Sequence, residues 1–65
     1  MTLDKLAIGK PAVVRAALAP EGQVLFRGEH WKAVSESGTL EPGEEVIINR
    51  MDNLKLYVSK KEQDG

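Results

Sequence analysis

Apolar and polar residues alternate with a period of two over most of the chain, and that period belongs to strands. The clearest stretch runs from Gly22 to Gly38. Val24 and Phe26 alternate with Gln23, Leu25 and Arg27, and Trp31 and Ala33 alternate with His30, Lys32 and Val34. Gly28-Glu29 stands between the two runs. A Gly-X pair suits a two-residue type II′ loop, because glycine accepts positive φ at the first central position. That loop predicts a hairpin register with Phe26 opposite Trp31, Leu25 opposite Lys32 and Val24 opposite Ala33. Val24, Phe26, Trp31 and Ala33 then share a wholly apolar face. An aromatic platform for a base or a sugar is one use for Phe26 and Trp31. Core filling is the better reading, since small Ala33 and Ser35 follow the indole along its face, as a small barrel requires.

The same pattern organises the rest of the chain. Residues 1–8 form a leading segment or linker, too short for a helix that is stable alone. Gly9 to Pro11 breaks it. Ala12 to Leu18 reads as the first strand, with Val14, Ala16 and Leu18 inward. Ala19-Pro20-Glu21-Gly22 is a turn in which proline presets φ and glycine takes the unusual angle. Leu40 is an isolated apolar residue, a plug for one barrel end. Glu41-Pro42-Gly43-Glu44 carries Pro and Gly at the two central positions of a type II turn. Glu45 to Met51 is a strand with Val46 and Ile48 inward, and Leu54, Leu56 and Val58 are the inward face of the last strand.

A two-residue loop at Asp52-Asn53 puts Met51 and Asn49 on the face of Leu54, whereas the core pattern needs Ile48 and Val46 there. One extra residue resolves the conflict, which predicts a β-bulge near Asn49-Arg50. The fold class is therefore all-β, a small five-stranded barrel of OB or SH3 type without substantial helix. The barrel spans residues 9–59, and 60–65 form a charged tail. The predicted core is Val24, Phe26, Trp31, Ala33, Val46, Ile48, Leu54, Leu56 and Val58.

Composition narrows the functions. Sixty-five residues make one small domain. Cysteine is absent, which removes disulfides and cysteine-based zinc sites. The net charge is −1 with both signs interleaved, a poor footprint for DNA or RNA. No apolar run reaches the length of a membrane span and no signal peptide is evident, so the chain is expected to be soluble. His30 is the single histidine and lacks the further ligands a zinc site needs. Ser35, Ser37 and Ser59 have no evident activating base, and Ser35 is expected to bond backbone. Glu44-Glu45 is a pair only in sequence, since neighbouring strand residues point to opposite faces. No catalytic, metal or cofactor-binding residue is assigned, and no cofactor is expected.

Several positions taken together resemble the C-terminal soluble domain of the NfeD family. They are Gly9, Leu18-x-Pro20-x-Gly22-x-Val24, Gly28-x-x-Trp31-x-Ala33-x-Ser35, Gly38-x-Leu40-x-x-Gly43-x-x-Val46 and Leu54-x-Leu56-x-Val58. The Gly-x-x-Trp-x-Ala-x-Ser run is the most specific part. Pro11-Ala12 stands where the family commonly has a glycine, and Ala16 where it commonly has a threonine. The resemblance implies a five-stranded OB-fold, attached in longer proteins to membrane-spanning helices on the cytoplasmic side. It also implies work beside a stomatin- or prohibitin-like scaffold, with a serine protease domain in longer members. Two function classes follow: a non-catalytic protein-interaction module with a stomatin-like membrane scaffold partner, or an OB-type oligonucleotide binder. The second needs exposed aromatics along a basic groove, and only Tyr57 is outward and aromatic. The outward face carries Val13, Leu25, Val34, Ile47 and Tyr57. Leu25, Lys32 and Val34 are the candidate interaction surface, because the predicted register sets Leu25 and Val34 diagonally across the hairpin.

Overall fold

A computed structural model describes residues 7–61. Five strands make one closed barrel: β1 (Pro11–Ala16), β2 (Glu21–Phe26), β3 (Glu29–Ser35), β4 (Glu45–Asp52) and β5 (Lys55–Lys60). Their order around the barrel is β1-β2-β3-β5-β4, and β4 closes back on β1. The β3–β5 contact is parallel and all other pairings are antiparallel. This is the OB-type member of the two predicted barrels. The elements of the described residues are strands alone, and no helix there is long and apolar enough to cross a membrane. The leading segment up to Leu6 and the tail beyond Lys61 lie outside the described residues. The ladder extends to Lys60 in β5, and the Lys61 N–H still donates to Glu45 O at 3.1 Å.

The alternating face survives, but both hairpin turns move by one residue. The first loop is Arg27-Gly28, with φ of 55° and 79°. Positive φ at both central residues is the type I′ requirement, and it matches strand twist better than the unprimed turns. Pairs therefore run Val24↔Trp31, Leu25↔His30 and Phe26↔Glu29. Phe26 and Trp31 share the inner face without standing opposite each other. A turn displaced by one residue shifts each partner by two, and two is the side-chain period, so inside remains inside.

The second loop is Asn53-Leu54, with φ of 55° and 64°. This removes Leu54 from the predicted core: it is 73% exposed. Asp52 joins the strand and pairs with Lys55, while Met51 pairs with Leu56. The bulge appears where the pattern requires it, between Ile48↔Val58 and Arg50↔Tyr57, with Asn49 as the extra residue. It lets Ile48 and Met51, three apart, face the same interior. Asn49 also ties the bulge down, donating through Nδ2 to Glu36 Oε1 at 3.0 Å and Ser59 Oγ at 3.1 Å.

A leucine held at positive φ is strained by its Cβ, at roughly 1–2 kcal/mol, a strain that glycine escapes. Leu54 buries little in return. Leu54→Gly should therefore raise stability by up to about 1 kcal/mol, after the entropy lost by fixing a glycine. Thermal melts check this, and a clear fall in midpoint would show that the leucine has a stabilising contact.

The interior is filled by Ala7, Ala12, Val14, Leu18, Val24, Phe26, Ala33, Leu40, Val46, Ile48, Leu56 and Val58. Trp31 and Met51 are half-buried and pack against this cluster. The Trp31 Nε1–H is buried without an acceptor among the described residues. Ala16 does not face inward as predicted. β1 shifts register between Val14↔Val24 and Ala16↔Gln23, leaving Arg15 as an extra residue and turning Ala16 outward. Leu18 returns to the interior by exchanging two 2.9 Å backbone hydrogen bonds with Leu40, so Leu40 does plug that end. The Glu41–Glu44 turn has Gly43 at φ 96° and the Glu44 N–H donating to Glu41 O at 3.1 Å, a type II turn.

Gly22 corrects the remaining turn. It lies within β2, opposite Ala33, and not at a positive φ. It is glycine because the backbone of Ala16 and Ala17 presses against it.

Candidate functional site

Strands β2, β3 and β5 present one continuous outer face. Across it, Leu25 stands opposite His30, Gln23 opposite Lys32, and Glu21 opposite Val34. Val34 in turn stands beside Tyr57 of β5. The observed register separates the two apolar members of the predicted surface. Leu25 is four strand residues from Glu21, the partner of Val34, or about 13 Å along β2. Leu25 instead has Val13 as its neighbour on β1. Lys32 lies between them, exposed, while Leu25 and Val34 are half-buried.

This face is concave. An open groove of about 350 Å³ is lined by Ala16, Glu21, Gly22, Gln23, Lys32, Ala33 and Lys55. It lies where β5 begins: the β3–β5 pairing runs only from Ala33↔Leu56 to Ser35↔Val58 and β5 starts at Lys55, so the first residues of β3 have no β5 residue beside them. Gly22 and Ala33 keep its floor low. Lys55 Nζ lies 3.4 Å from Glu21 Oε2 across the opening, an exposed pair worth little by itself. Sequence reasoning identified Lys32 but not the rest of the lining. Its missing signal was the parallel β3–β5 pairing, which joins residues over twenty positions apart without a turn to announce it.

Beyond Val34, Tyr57 is covered by Arg50, whose guanidinium carbon is 3.9 Å from the ring centroid. Arg50 Nη2 also lies 3.5 Å from Glu36 Oε2. The aromatic that an oligonucleotide reading would use is thus already stacked by a cation of the same chain.

The serines are structural. Ser35 Oγ donates to Gly38 O and accepts from the Ser37 N–H at 3.0 Å, as its inward position leads one to expect. Ser37 Oγ accepts from the Lys60 N–H at 3.0 Å, and Ser59 Oγ accepts from Asn49. His30 is exposed beside the first hairpin tip. Among the described residues, no group of three His, Cys, Asp or Glu side chains converges as a metal site would require.

Fold and face together define a small OB-type barrel with an open groove on the outer face of β2, β3 and β5. Residues 4–60 match the family model described as the NfeD-like C-terminal, partner-binding domain, and the chain belongs to that family. It is 42% identical over 59 residues to a membrane-bound protease of Pyrococcus horikoshii; the match takes in 89% of this chain but only 13% of that protein. Among solved structures, it is similar to the C-terminal domain of a stomatin operon partner protein from P. horikoshii. There the TM-score is 0.91 at 39% identity, covering 97% of this chain and 100% of that one. A second is the soluble domain of a Corynebacterium glutamicum membrane protein implicated in regulation of membrane protease activity. Its TM-score is 0.82 at 28% identity, covering 89% of this chain and 97% of that one.

Proposed function

We propose that this domain is a non-catalytic docking module. In the full protein it is attached to a membrane-bound portion on the N-terminal side, at the cytoplasmic face, and binds a stomatin-like scaffold protein. The observation that carries the reading is the match of residues 4–60 to a partner-binding domain family. The stomatin-operon origin of the structure with TM-score 0.91 supports the choice of partner. Commitment of the three serine hydroxyls to structural hydrogen bonds supports a binding role over a catalytic one.

The surface we assign to docking is the outer face bearing Leu25, Lys32 and Val34. Lys32 lines the groove, and on the outer face it is flanked by Val34 on one side and by His30, the partner of Leu25, on the other. An extended partner segment crossing this face would meet apolar contacts at both ends and a charge in the middle. Binding by the isolated domain would be weak, because attachment to a common membrane raises effective concentration without new contacts.

Shift mapping by NMR, with a stomatin-like domain fused through a flexible linker, tests both claims. Shifts should cluster on Gln23, Leu25, Lys32 and Val34, and Lys32→Glu should weaken the contact about tenfold or more, the factor given by 1.4 kcal/mol. Shifts confined to 36–44 would reject the surface, and no interaction in the fusion would reject the partner. The oligonucleotide alternative is tested by titrating labelled single-stranded DNA at low salt. Tight, steeply salt-dependent binding would favour it over the protein partner.

A further inference from the structure

β1, β3 and β5 all run in one direction, since β1 and β3 are each antiparallel to β2 and β3 is parallel to β5. Their first residues therefore gather at one rim. That rim comprises the segment Ala7–Lys10 and the two hairpin tips, Arg27-Gly28 and Asn53-Leu54. The opposite rim comprises residues 17–20 and 36–44.

The connections at the two rims differ in charge and polarity. Among the described residues, those at the first rim carry Lys10 and Arg27 and no carboxylate. Those at the second carry Glu36, Glu41 and Glu44 against a single cation, Lys61 just past β5, which is itself paired with Glu45 at 3.6 Å. The adjoining strand ends of the first rim carry Glu29 and Asp52 with Arg50 and Lys55, whose head groups reach along the barrel to Glu36 at 3.5 Å and Glu21 at 3.4 Å. The same rim carries Leu54 at 73% exposure and Ile8 at 41%, two of the three large apolar side chains the barrel leaves open. Leu54 occupies a tip position whose positive φ favours glycine or asparagine. A strained, protruding leucine at a hairpin tip is an outlier from which function is the reasonable inference. Arg27 is held at the mouth by its guanidinium, whose carbon lies 5.2 Å from the Phe26 ring centroid.

We propose that this rim rests on an anionic lipid surface, with Leu54 entering the interface and Lys10 and Arg27 meeting headgroup phosphates. The proposal uses the reading above that the membrane-bound portion lies on the N-terminal side, the side on which the chain enters this rim. Amphipathic surfaces of this composition bind at the headgroup boundary through buried apolar area and attraction to anionic lipid. One leucine and two cations are too few to hold a free protein there. Their effect is to orient a domain already kept near the bilayer, with the glutamate-bearing rim turned away. That orientation stands the β2–β3–β5 face upright and leaves it open.

The test measures orientation. The 65-residue chain is anchored through a histidine tag to nickel-chelating lipid in nanodiscs that also carry a spin-labelled headgroup, and NMR reads paramagnetic relaxation of the backbone amides. Tags at the N-terminus and at the C-terminus are compared, in discs with and without phosphatidylglycerol. With anionic lipid, amides at 27–28 and 53–54 should relax several-fold faster than those at 36–44 whichever end bears the tag. Leu54→Gly, a variant expected to fold at least as well, should shrink that contrast, and Arg27→Gln should make it insensitive to phosphatidylglycerol. An orientation that simply follows the tag would overturn the proposal, as would a contrast unchanged in Leu54→Gly. Neither readout uses a protein partner, so the docking function can fail while this orientation holds, and the reverse. Equal relaxation at both rims, with shifts at 53–54 appearing only on adding the scaffold domain, would assign the rim to protein instead.

Discussion

Phe26→Ala should remove most of the stability of this domain. Phe26 is 4% exposed, lies at the end of β2 and belongs to the single apolar cluster that fills the barrel. Truncating a buried phenylalanine costs about 3–5 kcal/mol, the transfer term plus the cavity that remains. A 65-residue chain has roughly 3–10 kcal/mol in total. At about 4–8 °C per kcal/mol for a domain of this size, the melting midpoint should fall by well over ten degrees, if a cooperative transition persists. Collapse around the hole is limited because every neighbouring strand is tied into a closed ladder. Denaturant unfolding followed by Trp31 fluorescence gives the number directly. A loss under about 1 kcal/mol would mean that the ring is not part of the packed interior. Trp31→Phe is the useful companion. Trp31 is half-buried with an indole N–H that has no acceptor among the described residues, so that substitution removes an unsatisfied donor and should cost far less.

Gly22→Ala should be the most damaging of the conservative substitutions. A Cβ built on Gly22 would stand 2.8 Å from the Ala17 carbonyl carbon and closer still to the carbonyl oxygens of Ala16 and Ala17. Those atoms are backbone, and they are held there: Leu18 is bonded to Leu40 on one side and Ala16 is paired with Gln23 on the other. Relief requires the β1–β2 connection to move, which would loosen the Leu18–Leu40 closure. Overpacking of this kind costs about 1–3 kcal/mol. Hydrogen exchange should show the loss at Leu18 and Leu40 before it reaches β5. Gly22 also floors the groove, so the variant should weaken partner binding more than its stability loss alone explains. A Gly22→Ala protein with parental stability would show that the chain at residues 16–17 is free to retreat.

The predicted inner face held at Val24, Phe26, Ala33, Val46, Ile48, Leu56 and Val58 because burial of one sheet face is written in the period of two. The same period made those assignments tolerant of turn errors, since a loop displaced by one residue returns each side chain to its own face. The bulge at Asn49 was legible for a related reason: the inward pattern of Val46 and Ile48 conflicts with the register a two-residue loop imposes, and displacing that loop by one residue leaves the conflict in place. Leu54 was misplaced because its hydrophobicity fits an inward position, while the loop conformation that exposes it leaves no mark in a leucine. Arg27 misled in the same way, as nothing in its chemistry announces positive φ.

The amino-acid sequence by itself determined the strands, their inner faces, the need for a bulge and, through its ordered glycine, tryptophan and serine positions, the family. Closure of the barrel decided the rest. Which residues turn, how far Leu25 lies from Val34, why position 22 must be glycine, and the short β3–β5 ladder beside the groove depend on contacts between distant segments. Local propensity and alternation carry information over a few residues, whereas register between remote strands is set only when all five ladders must be satisfied around one interior.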